Sequence, residues 1–277
     1  MGDRPTLASS LRSFYRRRIA IPVGATDLVL DVGSGDKPHW RADVLLDRYL
    51  GTEHGGQRSG RAAARIDRPL FDADASSMPF ADGVFDYVVC SHVLEHVVDP
   101  AAVVAELTRV GRAGYLEVPE AASAKILDFP SHLWWCRSHG TRLELTAKRR
   151  PAFDPEIQGF IDAAGIERRL ADLLDADFDR RVVALHWSGH IELDVVGTPP
   201  RELVDAAMAA DAHHRSGQQL VARALTTVMS LPLRARHRRA PVLFDDVVKD
   251  EFRTGRDEVL SPRVYRCDSS SGAFATH

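Results

Sequence analysis

Short apolar runs alternate with segments of helical spacing over the first 120 residues of the chain. Four runs, each bounded by turn residues, lie at 27–32, 42–46, 85–91 and 115–118. They predict buried strands. Asp99-Pro100 precedes the helical spacing of 101–110, and Pro at the first position is typical of a helix start. Strands that alternate with helices predict an α/β fold with a parallel sheet and right-handed crossovers.

The pattern changes after Pro119. Residues 120–150 show no clear period and predict an inserted lid, whereas 155–174 has helical spacing. Residues 182–187 and 190–196 flank Ser188-Gly189, which predicts a two-stranded hairpin. We predict a first domain over 1–200 that includes the lid at about 120–150. Residues 201–277 then form a helical C-terminal extension whose Ser/Gly-rich tail is disordered.

Composition places the chain among ordinary soluble proteins. Of its 277 residues, 44% are apolar and 27% are charged, and the formal net charge is -3. No global positive field attracts nucleic acid, and no apolar stretch approaches the ~20 residues of a membrane span. The three cysteines form no CxxC pair, which favours a reducing compartment. We expect a cytoplasmic protein, of bacterial origin given its excess of arginine over lysine, with no nucleic-acid partner. The oligomeric state stays open.

Candidate ligand chemistry begins where the first strand ends, at Gly33-Ser34-Gly35. Glycines at such a turn allow positive φ and close approach of a ligand to the backbone. The third glycine of a dinucleotide fingerprint is replaced by Pro38. Asp47 follows the second strand, where a carboxylate can accept hydrogen bonds from ribose hydroxyls.

A longer ordered motif follows between residues 72 and 110. Its elements are Asp74-Ala75, Met78-Pro79-Phe80, Phe85-Asp86, Leu94-Glu95-His96, Asp99-Pro100, Glu106 and Arg109-Val110. Over about residues 28–119 the chain resembles the class I S-adenosylmethionine-dependent methyltransferases, in the type 11 family that methylates small molecules. One departure is Gly111–Gly114 (GRAG), which replaces the family's Lys-Pro-Gly-Gly turn.

The resemblance implies a Rossmann-like, doubly wound, mostly parallel seven-stranded sheet and S-adenosylmethionine as cofactor. It also implies a set of cofactor contacts. Asp31, Gly33, Ser34 and Gly35 would contact the methionine part, Asp47 the ribose, Asp74 and Ala75 the adenine, and Ser91 and His92 the methionyl end near the sulfonium. The implied reaction is methyl transfer to a small-molecule acceptor, with a hydroxyl of a glycan, lipid precursor or secondary metabolite favoured.

The acceptor side carries the candidate catalytic residues. His132 is the first candidate for a general base, because histidine titrates near neutral pH, and His96 is the second. A structural hydrogen bond at a helix start is the alternative for His96. Tryptophans at 134, 135 and 187 either wall an acceptor pocket or anchor the lid in the core. We assign no metal, since His190, Glu192 and Asp194 would share one face of a single strand and give poor tetrahedral geometry.

Other functions stay open at this point. A methyltransferase-like protein could bind S-adenosylmethionine in a regulatory or scaffolding role. A nicotinamide-dependent reductase is disfavoured by Pro38, and a nucleic-acid methyltransferase by Ser91–Leu94 (SHVL), where such enzymes carry an Asn/Asp-Pro-Pro-Tyr motif.

Overall fold

The protein is described here by a computed structural model, which defines residues 6–57, 63–175, 177–210, 216–237 and 241–267. The strands are β1 (Val29–Val32), β2 (Val44–Asp47), β3 (Leu70–Asp72), β4 (Tyr87–Ser91), β5 (Ala113–Pro119), β6 (Trp134–His139), β7 (Arg142–Ala147), β8 (Val182–Ser188), β9 (Leu193–Val196) and β10 (Val264–Tyr265). The helices are α1 (Leu7–Arg18), α2 (Pro100–Val110), α3 (Ala121–Ile126), α4 (Pro155–Ala163), α5 (Ile166–Asp175), α6 (Arg201–Met208), α7 (Ser216–Arg234) and α8 (Phe244–Val247).

Seven strands form the main sheet in the order β10-β3-β2-β1-β4-β5-β8. Every pairing is parallel except that of β8, which runs antiparallel to β5. All four residues of β1 and of β2 are buried, as expected for strands covered on both faces. The predicted α/β class with a mostly parallel seven-stranded sheet is confirmed.

Helix α2 shows how the 72–110 motif folds. Its first residue is Pro100, and Asp99 Oδ1 accepts a hydrogen bond from Ala102 N at 3.0 Å, which caps the helix. On the same helix, Glu106 accepts from Met78 N at 2.6 Å, and Arg109 donates to the Phe80 carbonyl at 2.7 Å. These two charged residues of the motif therefore hold residues 78–80 against α2.

The lid and the segment after it differ from the sequence expectation. Residues 134–139 and 142–147 form an antiparallel pair that is extended by β9, which runs parallel to β7. Strand β8 pairs with β5 in the main sheet, so the predicted 182–196 hairpin is wrong. Alternation identifies a strand but not its partner, and Gly189, at φ +74°, turns the chain from one sheet to the other.

The C-terminal region also departs from the purely helical extension we predicted for 201–277. Helices α6 and α7 are present, but β10 then adds a strand beside β3. Phe244, Val247 and Tyr265 are each at most 3% exposed in the main core. The division at residue 200 stays a prediction, and the predicted disordered tail at 269–277 lies outside the described residues. No helix in the described part of the chain is both long and apolar enough to cross a bilayer.

Candidate active site

The candidate site lies where the carboxyl ends of β1 and β4 meet. From β1 the chain proceeds to β2 and β3 on one side, whereas β4 and β5 lie on the other. Such a reversal leaves a crevice beyond the strand ends, which is where open α/β sheets bind ligands. The loops after β1 and after β4 lie so close together there that a Cβ added to Gly33 would be only 2.3 Å from Val93 Cγ2.

The loop after β1 requires its glycines. Gly33 has φ +71° and Gly35 has φ +51°, in the left-handed region that other residues rarely adopt. Gly33 N donates to the Leu46 carbonyl at 2.8 Å, which ties the loop to β2. Between the glycines, Ser34 Oγ is buried without a hydrogen-bond partner among the described residues. A buried hydroxyl in that state favours a polar ligand at this loop.

Asp31 places a carboxyl group beneath this loop. It is 4% exposed, and burial raises its pKa from 3.8 to about 7, although His39 N donates to Oδ2 at 2.6 Å. Burial disfavours the ionised form because the carboxylate loses its hydration. A cationic ligand group would offset that cost, as the ammonium of a methionyl group could do.

Asp47 and Asp74 hold the turns that follow β2 and β3. Asp47 accepts hydrogen bonds from Gly35 N at 2.7 Å and from Tyr49 N at 2.8 Å, so it also fixes the glycine loop. Asp74 Oδ1 accepts from the backbone and the hydroxyl of Ser76, both at 2.8 Å, and Oδ2 is paired with Arg48. The Arg48 side chain is 59% exposed, so it can move away from a bound base.

A cavity of about 310 Å³ lies against one face of α1. It is lined by Ser13, Arg17, Arg18 and Phe178 among others. Arg18 lies close enough to Asp31 for its charge to oppose the rise in that carboxyl's pKa.

A buried ion network joins α1 to the end of the sheet. The Glu117 carboxylate, 1% exposed in β5, accepts from Arg17 Nε at 2.7 Å and Nη2 at 2.5 Å. It also accepts from the Tyr115 hydroxyl and lies 3.1 Å from His92 Nε2. Such bidentate Arg–carboxylate pairs combine strength with fixed orientation. The sequence analysis assigned no role to Glu117 or Arg17, although an acid inside an apolar strand was a signal.

His92 lies between two carboxylates at the end of β4. Its Nδ1 lies 3.0 Å from Glu95 Oε1, opposite the Glu117 contact of Nε2. Burial alone would lower its pKa, but hydrogen bonds and charge from both carboxylates prevail and raise it from 6.5 to about 9. His92 is also the only described non-glycine residue with positive φ, at +58°, and such strain concentrates at functional sites. At neutral pH it is a cation and a donor, not a base.

The two predicted catalytic histidines come together beside this network. The rings of His96 and His132 pack edge to face with centroids 4.9 Å apart. His96 Nδ1 lies 3.0 Å from the Ser131 carbonyl, which can only accept, so Nδ1 carries the proton and Nε2 presents a lone pair. Burial lowers the pKa of His96.

The tryptophans and the 186–194 residues do not join the site. Trp134, Trp135 and Trp187 are all less than 10% exposed, which identifies them as core residues and not as an open wall. Trp134 Nε1 donates to the Val97 carbonyl at 2.7 Å. Glu192 and Asp194 both pair with Arg142, at 3.6 and 3.2 Å.

Known proteins resemble part of this chain. Residues 30–116 match the family model described as a methyltransferase domain. A demethylmenaquinone methyltransferase of Mycolicibacterium vanbaalenii is 49% identical over 103 residues, which are 36% of this chain and 45% of that protein. An uncharacterized methyltransferase of a Mycobacterium species is 39% identical over 106 residues, 35% of this chain and 38% of that protein. The chain thus spans less than half the length of these relatives.

Among solved structures, the YcgJ protein of Bacillus subtilis has 22% sequence identity and a TM-score of 0.31, covering 45% of this chain and 61% of that one. The assignment of residues 30–116 therefore depends on the family match and not on this structural similarity. The match includes the glycine loop, Asp47, Asp74 and His92, and it ends before Glu117 and His132. Residues 30–116 therefore match the methyltransferase-domain family, and this match covers the glycine loop and the end of β4.

Proposed function

We propose that the protein is a methyltransferase that transfers a methyl group from S-adenosylmethionine to a small-molecule acceptor, with an acceptor hydroxyl favoured. The observation that carries this proposal is the switch-point crevice, because its two loops lie inside the family match and meet at Gly33 and Val93. When bound, the cofactor supplies a methyl group on a sulfonium, and transfer to a hydroxyl forms a C–O bond as the C–S bond breaks and releases one proton.

The residues present suit this cofactor. Buried Asp31 gains a cationic partner if it faces the methionyl ammonium, and the unpartnered Ser34 hydroxyl gains a polar one. In this proposal Asp47 accepts hydrogen bonds from the ribose hydroxyls, and Asp74 with Ala75 contacts the adenine amino group. Ser91 and His92 are assigned to the methionyl end, where the clamp of Glu95 and Glu117 fixes the His92 ring.

The acceptor oxygen is placed next to the His96–His132 pair. An imidazole lone pair there can take the acceptor's proton directly, which is the general-base role that the sequence suggested. The same imidazole lone pair can instead bind a Lewis acid, which would lower the pKa of the acceptor hydroxyl. In either case, orienting the acceptor and excluding water supply much of the acceleration.

Methyl transfer is tested with purified protein, S-adenosylmethionine and a panel of hydroxylated acceptors, following S-adenosylhomocysteine formation and the mass of the product. Demethylmenaquinone belongs in the panel because one relative carries that name. We expect a product heavier by one methylene unit with at least one acceptor. Binding of S-adenosylmethionine without turnover across the panel would favour the regulatory or scaffolding alternative. The formal net charge of -3 favours an acceptor other than nucleic acid.

A further inference from the structure

Three metal-binding side chains converge at the acceptor end of the crevice. Glu95, His96 and His132 each offer one ligand atom, and these atoms all lie within 4.8 Å of one another. Two of the residues follow β4 and the third precedes β6, and Leu133 N donates to the Glu95 carbonyl at 2.7 Å. The backbone therefore holds the two segments together whether or not a ligand is present.

The Glu95 carboxylate gives an independent reason to expect a cation. Its side chain is fully buried, and only Oε1 is engaged, by His92 Nδ1 at 3.0 Å. Oε2 is buried and has no hydrogen-bond partner among the described residues. Leaving a buried carboxylate oxygen unsatisfied costs free energy, and a metal ion bound there would remove that cost.

The histidine orientation fits the same use. The hydrogen bond from His96 Nδ1 to the Ser131 carbonyl fixes the ring and its tautomer, with Nε2 towards Glu95 at 4.0 Å. Metal-binding histidines usually have their second nitrogen held by a carbonyl or carboxylate in this way. The Glu95–His92 contact orients the carboxylate similarly.

We propose that Glu95, His96 and His132 bind one divalent transition-metal ion, with zinc as the best match. Two histidines and one glutamate are a donor set of zinc sites that keep a fourth position open for water or substrate. Tetrahedral bonds of about 2.0–2.1 Å place ligand atoms about 3.4 Å apart, so the longest separation in the cluster, within 4.8 Å, needs to contract by about 1.4 Å at most. This inference rests on the proposed function only where it assigns the open position to the acceptor oxygen, whose proton would pass to water.

The test is titration of the full-length chain with Co(II) after removal of metal by a chelator. Cobalt replaces zinc in such sites and gives visible absorption when four-coordinate. We expect one Co(II) per chain, displaced by Zn(II), and about one zinc per chain in protein purified without chelator. His132→Ala and Glu95→Gln should weaken binding by more than about 100-fold, since even outer partners of metal ligands matter by 10–100-fold. His139→Ala is the matched control, because this histidine is exposed and outside the cluster.

The Co(II) titrations test the metal site independently of S-adenosylmethionine binding. If His132→Ala unfolds, judged by circular dichroism, His132→Gln replaces it. Cobalt binding that is absent, or that both ligand variants leave unchanged, would overturn the metal site. Calorimetric binding of S-adenosylmethionine to the chelated protein is measured in parallel, so loss of the metal proposal and loss of the cofactor proposal are distinguished.

Discussion

The two sides of the crevice are built by different means. On the side that we propose for the cofactor, residues 31–35, Asp47 and Asp74 form turns and short-range hydrogen bonds at the ends of adjacent strands. On the side that we propose for the acceptor, side chains from four distant segments meet: Arg17, His92–His96, Glu117 and His132. A local signal can be recognised in a sequence, whereas a buried network assembled over 100 residues depends on the completed fold.

The largest effect should come from breaking the acceptor-side network. Glu117→Gln leaves the nearly buried Arg17 and the partly exposed His92 without their shared carboxylate, and we expect the free energy of unfolding to fall by about 3 kcal/mol. Denaturant unfolding measures this loss. Arg16→Met is the matched control, since its pair with Asp179 has side chains 63% and 46% exposed and should change stability by less than about 1 kcal/mol. Equal losses of stability in the two variants would show that the Glu117 network stabilises the fold no more than an exposed ion pair does.

The next effect should come from the glycine loop on the cofactor side. Gly33→Ala meets both positive φ and a Cβ 2.3 Å from Val93, whereas Gly83→Ala meets positive φ with no atom within 4 Å. Strain alone costs about 1–2 kcal/mol, and forced overpacking adds about 1–3 kcal/mol. We expect Gly33→Ala to lose S-adenosylmethionine binding and Gly83→Ala to retain it, as measured by calorimetry. Wild-type affinity in Gly33→Ala would contradict the loop's assignment.

A smaller loss is expected from Asp47→Asn. The amide has one acceptor oxygen for the two donors, Gly35 N and Tyr49 N, and it binds ribose hydroxyls less strongly. One weakened charged hydrogen bond is worth about 1.5–3 kcal/mol, or roughly 10–150-fold in affinity. Asp72→Asn serves as control, because that acid also ends a strand but pairs with Arg266. Similar losses in both variants would assign the effect to the sheet and not to the ligand.

The smallest predicted effect is a pH dependence from Asp31. Its pKa of about 7 in the free protein means that the carboxyl becomes protonated as pH falls through 7, and a neutral carboxyl attracts an ammonium less. Affinity for S-adenosylmethionine should therefore fall by up to about tenfold per pH unit below 7 and level off above it. Calorimetry at pH values from about 5.5 to 8.5 measures how the affinity for S-adenosylmethionine depends on pH, and the expected slope corresponds to about one proton. Asp31→Asn should bind weakly at every pH, and an unchanged slope in that variant would contradict the assignment.

The same contrast explains what the sequence could predict. Strands β1 and β4, the cap at Asp99 and the glycine loop follow from short-range patterns, and each is present. The pairing of β8 with β5 could not be predicted in this way. The two-residue turn at 188–189 indicates a hairpin with the following segment, whereas the actual partner of β8 lies about 70 residues earlier in the chain. His96 and His132 were named separately, but their contact with Glu95 depends on the hydrogen bond from Leu133 N to the Glu95 carbonyl, which joins segments far apart in the chain.

The central claim is that the crevice binds S-adenosylmethionine, and it is tested most directly by isothermal titration of the purified protein with S-adenosylmethionine and, separately, with NADH. The account predicts micromolar binding of S-adenosylmethionine at a stoichiometry of about one and no heat from NADH, given Pro38 in place of the third glycine. A folded sample that binds neither ligand, or that binds NADH alone, would contradict it.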